Sequence, residues 1–175
     1  MSHFLTLDGE RIVGVVEADT IPGDGWIQFD GWPGWGARPS PRHAAFLIDS
    51  VLVWQDPRTL EQAKADRIAD MRVARDAAIE GGFTWNSLPF DSDSTAQLRL
   101  VGLAVAAMAD PLMEDKPWRL ADNTWTTVNS SQALQVYTAL GGHIEAMFAQ
   151  FAAREAAINA ATTIEEVEAI TWEGT

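Results

Sequence analysis

Gly81–Leu100 reads GGFTWNSLPFDSDSTAQLRL. Two glycines close a helix-like run before it. FTWNSLPFD then reads as a hairpin, with Trp85 and Phe90 flanking its turn. Two aspartates precede residues 94–109, STAQLRLVGLAVAAMA, a run with one charge, Arg99. A helix so apolar is expected to be buried nearly all round. Asp91 and Asp93 are therefore either an acid/base or metal pair, or the punctuation that starts this helix. Ser94-x-x-Gln97 fits a capping box. Asp93, just before it, sits where negative charge favours a helix N-terminus. Asp91 follows Pro89-Phe90 in a turn. A metal would need further histidines or carboxylates at set spacing, and the neighbouring sequence offers none. The local grammar favours punctuation.

Upstream, DPRTLEQAKADRIADMRVARDAAIEGG is the clearest helix. Thr59 with Gln62 fits a capping box, strong helix formers fill 60–80, and Gly81-Gly82 close it. Ile68 and Met71 fall on a coiled-coil seam, but Glu61, Lys64 and Arg75 occupy the same seam positions. We therefore read residues 58–82 as an amphipathic helix linking two units. Ile68 and Met71 are its candidate contacts with copies of itself.

Residues 1–57 read as a small antiparallel β unit. HFLTLDGERIVGVVE alternates around Asp8-Gly9, a hairpin signal. Gly23-Asp24-Gly25 is a turn into the alternating WIQFDGW. GWPGWGARPSPRH is a loop rich in Gly and Pro. AAFLIDSVLVW, 44–54, reads as two short strands about Asp49-Ser50.

Downstream of the apolar helix, PWRLADNTWTTV reads as a second hairpin with Asp122-Asn123 at its turn. Asn129 with Gln132 resembles a capping box and starts a helix through about Ala161. Gly141-Gly142 within it marks a kink or a close-packing point. Thr163 and Glu166 cap a last short helix before AITWEGT. The expected fold is α+β: a β unit, a connecting helix, and a mainly helical domain over 83–175 with short hairpins. Its expected core is Leu98, Val101, Val105, Met108, Leu134, Tyr137, Ile144, Phe148 and Phe151.

Composition bounds the function. The chain has 175 residues, 47% hydrophobic and 21% charged, the balance of a soluble globular protein. Net charge is −13. Nucleic acid needs bulk Lys and Arg to neutralise phosphate, and an anionic membrane would repel such a chain. No apolar stretch is long enough to span a bilayer. The N-terminus lacks the pattern of a secretion signal, so synthesis in the cytoplasm is expected. With no cysteine there is no disulfide, thiolate nucleophile or cysteine-held metal.

Candidate chemistry is sparse. His3, His43 and His143 are far apart and match no metal or triad pattern. No nucleophile elbow, phosphate loop or dinucleotide fingerprint is present. Glu165, Glu166 and Glu168 read as a solvated helix face. We expect no catalytic residue, cofactor or metal. Of eight tryptophans, Trp32 and Trp35 stand out, because GWPGWGARP sets two aromatic faces on one loop where they can stack on sugars. The plainer reading folds both rings back over the β unit or into a subunit contact.

From Ile79 onward the order of signals resembles a known family. The carriers are G-F-x-W before a turn (Gly82, Phe83, Trp85) and F-x-S-D before a helix (Phe90, Asp91, Ser92, Asp93). W-x-x-x-D-N-x-W-x-x-V follows (Trp118, Asp122, Trp125, Val128), and the closing T-x-E-E-V-E-A-I-T-W includes Glu165 and Trp172. Together they resemble the DUF4376 family of tailed-bacteriophage proteins over about residues 65–172. The resemblance implies a structural part of a phage tail: a tail-fibre, baseplate or tail-tip accessory subunit. Other readings are a tail-fibre assembly chaperone that leaves before the virion matures, and a glycan-binding module of the adhesion apparatus. It implies partners among other tail proteins, and homo-oligomers such as trimers where fibres join. It carries over no catalytic residue.

Overall fold

The computed structural model describes residues 2–39 and 41–172. Residues 173–175, the end of AITWEGT, lie outside the described residues. The architecture is α+β and divides into two units, residues 1–59 and 60–175.

The first unit is an antiparallel sheet of β1 (Ser2–Asp8), β2 (Arg11–Ala18), β3 (Ile27–Phe29), β4 (Ala44–Ile48) and β5 (Val51–Gln55), in the order β3-β1-β2-β4-β5. Asp8 pairs with Arg11, so the β1–β2 loop is Gly9-Glu10, with Gly9 at φ 61°. Asp49 and Ser50 close β4–β5 at φ 49° and 65°. Positive φ at both loop positions is the twist a two-residue hairpin needs, and Asp and Ser tolerate it. Leu5, Ile12 and Ala45 are buried on one face, with Trp32 and Trp54 packed against them.

The second unit runs α1 (Leu60–Glu80), β6 (Phe83–Trp85), β7 (Leu88–Phe90), α2 (Ser94–Ala109), β8 (Lys116–Arg119), β9 (Trp125–Val128), α3 (Ser130–Ala160) and α4 (Ile164–Ala169). Asn86 and Ser87 turn β6 into β7 at φ 50° and 63°. Gly82 sits at φ 97°, and a Cβ there would lie 3.1 Å from the Phe90 carbonyl, so the residue must be glycine. The Asn129–Gln132 capping box forms with both bonds at 3.0 Å. Thr163 caps α4 by accepting from the Glu166 N–H.

Three expectations fail. First, α1 is part of the second unit and not a separate connecting helix. Its Ala63 and Met71 are buried against Phe151, Ile158 and Val167, and Ile68 packs on the same core. Arg67 binds the Glu168 and Ile170 carbonyls and Lys64 the Asn159 carbonyl, holding the chain's last helix to α1. Ile68 and Met71 therefore face the inside of their own unit, not a second copy. Second, α3 is unbroken across Gly141-Gly142, and a Cβ at either would meet nothing within 4 Å. Neither is a close-packing point.

Third, the expected core is largely turned inside out. Of its nine residues only Phe151 is buried and Ile144 half-buried. Leu98, Val101, Val105, Met108, Leu134, Tyr137 and Phe148 are exposed. The buried face of α2 is Ala96, Leu100, Ala104 and Ala107, and that of α3 begins Ala133, Val136, Leu140. Alanine lets two backbones approach, so close packing of α2 on α3 selected the small residues and left the bulky ones outside.

Candidate functional site

The two aspartates that opened the question are resolved by geometry. Asp93 is the N-cap of α2, and its Oδ1 accepts from the Thr95 and Ala96 N–H groups at 2.8 and 2.9 Å. Gln97 does not close a box on Ser94; its amide donates to the Ser92 carbonyl at 2.8 Å. Asp91 is exposed. The residue missed between them is Ser92. It is fully buried, accepts from the Gly82 N–H at 2.8 Å and donates to the Ile79 carbonyl. It ties the end of α1 to the start of α2. An S between two D residues carried no signal for that, because its partners lie 10 and 13 positions upstream.

The histidines stay apart. The His143 Nε2 lies 3.1 Å from the Ala78 carbonyl and its ring stacks on Phe83 at 6.0 Å, a packing role between α3 and the end of α1. Among the described residues, no three His, Asp or Glu side chains converge to hold a metal ion. No helix among them is long and apolar enough to cross a membrane.

Two surfaces remain, one on each unit. On the first unit Trp32, Trp35 and Trp54 form a cluster with centroids 5.0–6.0 Å apart. Trp32 folds back on the sheet core, while Trp35 stays 46% exposed. Trp35 borders a pocket of about 330 Å³ lined also by Arg11, Arg38, Arg42 and His43. Three of this unit's four arginines thus meet at one place. Beside it, Arg58 donates to both oxygens of Asp56, and this guanidinium holds the Asp56 carboxyl below its usual range.

On the second unit, α2 presents Leu98, Val101, Val105 and Met108 to solvent, with Leu98 73% and Met108 71% exposed. Leu112, just past the helix, is 91% exposed. Met108 and Leu134 together line an open pocket of about 480 Å³ with Ala107, Pro111, Ser130 and Ser131, which joins the stripe to α3. Phe148 does not extend it, since the Arg75 guanidinium lies 4.6 Å over its ring. The sequence did hold this signal. A helix with apolar residues all round, in a chain of ordinary size, has one face more than its own fold needs.

No curated protein and no solved structure matches the chain. The model of a domain of unknown function, DUF4376, matches residues 62–171, from the third residue of α1 to just beyond α4. That match covers well over half of the sequence, and the chain belongs to the DUF4376 family.

Proposed function

We propose that this chain is a non-enzymatic structural component of a bacteriophage tail, a tail-fibre, baseplate or tail-tip accessory subunit that works through protein–protein assembly. One observation carries the assembly reading. α2 buries alanines inside its own unit and offers leucine, valine and methionine to the outside. Bulky apolar groups left in water are worth most when another protein covers them. The placement in a tail rests on the ordered G-F-x-W, F-x-S-D and D-N-x-W signals and on the family. Its partners would be other tail proteins, and its final location the virion, after synthesis in the host cytoplasm.

Quantitative mass spectrometry of purified particles tests this. The expected result is this chain at a fixed ratio to the major tail proteins. Abundance in infected cells with absence from particles would sink the virion role and make the chain an assembly chaperone.

A second reading, glycan binding by the first unit, is favoured by one observation. Half-exposed Trp35 adjoins three arginines in a protein of net charge −13. An aromatic face beside guanidinium groups suits an acidic sugar. Trp35→Ala should then abolish retention on an acidic glycan while the circular dichroism spectrum stays that of the folded protein. Unchanged retention rejects it.

A further inference from the structure

We propose that the exposed stripe of α2, continued by Leu112 and by Leu134 and Tyr137 of α3, is the docking surface for a second copy of this chain. The proposal holds for a virion subunit and for an assembly factor alike.

The spacing comes first. Leu98, Val101, Val105 and Met108 of α2 are separated by three, four and three residues, and Leu112 lies beyond the helix end, after Pro111. That alternation is the 3.5-residue repeat with which one helix meets another, side chain into gap. The helix it would normally serve is not α3, because α2 already packs on α3 through its alanine face. The stripe is therefore a second, unused helix-packing face. Leu134, Tyr137 and Gly141 of α3 repeat the three-and-four spacing beside it, with glycine leaving a gap for an incoming side chain.

Exposure comes second. The seven large residues named above are 37–91% exposed. Single exposed apolar residues are ordinary, but seven large ones on α2, just past its end and on the adjoining turns of α3 are the pattern of an interaction surface.

Charge decides the occupant. The chain carries −13, yet residues 94–109 and 130–144 together hold a single formal charge, Arg99. Two acidic copies repel one another over most of their surface. Here they meet with almost no like charge to bring together, as interface centres generally do. Asp93 and Asp110 cap the two ends of α2 and Glu145 follows this stretch of α3, so the acidic groups stand outside the apolar row, and an anionic membrane is repelled by the whole chain. A symmetric contact asks only that one surface complement itself, which a heptad stripe does.

Sedimentation velocity and light scattering on the full-length protein test this across the micromolar range. The expected mass is twice the 19.1 kDa chain, or a higher whole multiple. Leu98→Glu with Val105→Glu should weaken association by about 100-fold or more. The circular dichroism spectrum should not change, because both side chains are exposed. Val73→Glu, on an equally exposed site of α1, should leave the mass unchanged. A monomer at every concentration overturns the proposal, and so does an assembly that the double variant leaves intact. If the double variant does not fold, Met108→Lys takes its place. A spin label on Val105→Cys, in this cysteine-free chain, then reports directly: dipolar coupling between copies supports the seam, and its absence in an assembled protein rejects it.

Discussion

Ser92, not either aspartate, is the residue on which the opening stretch turns. Its hydroxyl accepts from the half-buried Gly82 N–H and donates to the Ile79 carbonyl. Ser92→Ala leaves the half-buried Gly82 donor without its partner, at a cost of about 1–3 kcal/mol. For a chain of this size each kcal/mol lowers the melting temperature by about 2–4 °C. Asp93→Ala removes an N-cap and should cost about 1 kcal/mol, while Asp91→Ala, exposed and outside the cap, should fall within about 0.5 kcal/mol of wild type. Urea titrations of the three variants check the ranking. If Asp91→Ala proved the most damaging, the assignment of Asp93 as cap and Ser92 as tie would fail. The start of α2 was legible in the sequence because an N-cap is a local bond over two or three residues, but the expected capping box of Ser94 and Gln97 does not form and the cap falls one residue earlier, on Asp93. The tie was not legible, since nothing local marks a serine whose partners come from the preceding helix and its closing glycine.

At the scale of elements, the same division between local and non-local holds. Hairpins at Asn86-Ser87 and Asp49-Ser50 were readable because turn chemistry is set by the turn residues themselves. The orientation of α2 was not, because a helix apolar all round has no periodicity from which to choose a buried face. Volume made most of the choice: three alanines with Leu100 inward, Leu98 and Met108 outward. Gly141 and Gly142 misled for a related reason. A glycine pair in a helix suggests contact, yet both positions are open and helical. Gly141→Ala and Gly142→Ala should each therefore stabilise α3 by about 0.5–1 kcal/mol, raising the melting temperature by a few degrees. A fall at both positions would indicate a contact there that α3 does not show. If Gly141→Ala alone also weakened self-association, the gap beside Tyr137 would be part of the seam. The end of the chain carries a pH dependence. The Thr162 N–H and hydroxyl, bonded to Glu166, hold its carboxyl below the usual range. A depressed carboxyl contributes stability above its unfolded pKa of about 4.5 and loses it as pH falls through the folded value. Glu166→Gln should therefore lower the melting temperature at pH 7, and the deficit should vanish in strong acid.

For the whole molecule the governing quantity is net charge set against an almost uncharged face. An assembly held by ion pairs loosens as salt rises, because salt screens attraction. An assembly of this chain through α2 should do the opposite. Its copies carry −13 each and meet where only Arg99 is charged, so the electrostatic contribution to association is repulsive and the apolar contribution attractive. Raising salt from ~0.1 M to ~1 M shortens the Debye length from about 10 Å to about 3 Å and removes most of the repulsion. The dissociation constant from sedimentation equilibrium should fall several-fold over that range. Lowering the pH from 7 toward the isoelectric point of about 4.4 should act in the same direction, by discharging carboxylates rather than screening them. Dissociation on adding salt would show that charged contacts, not the Leu98–Met108 stripe, hold the copies together. It would move the search for the interface to the first unit, where Arg11, Arg38 and Arg42 gather beside Trp35.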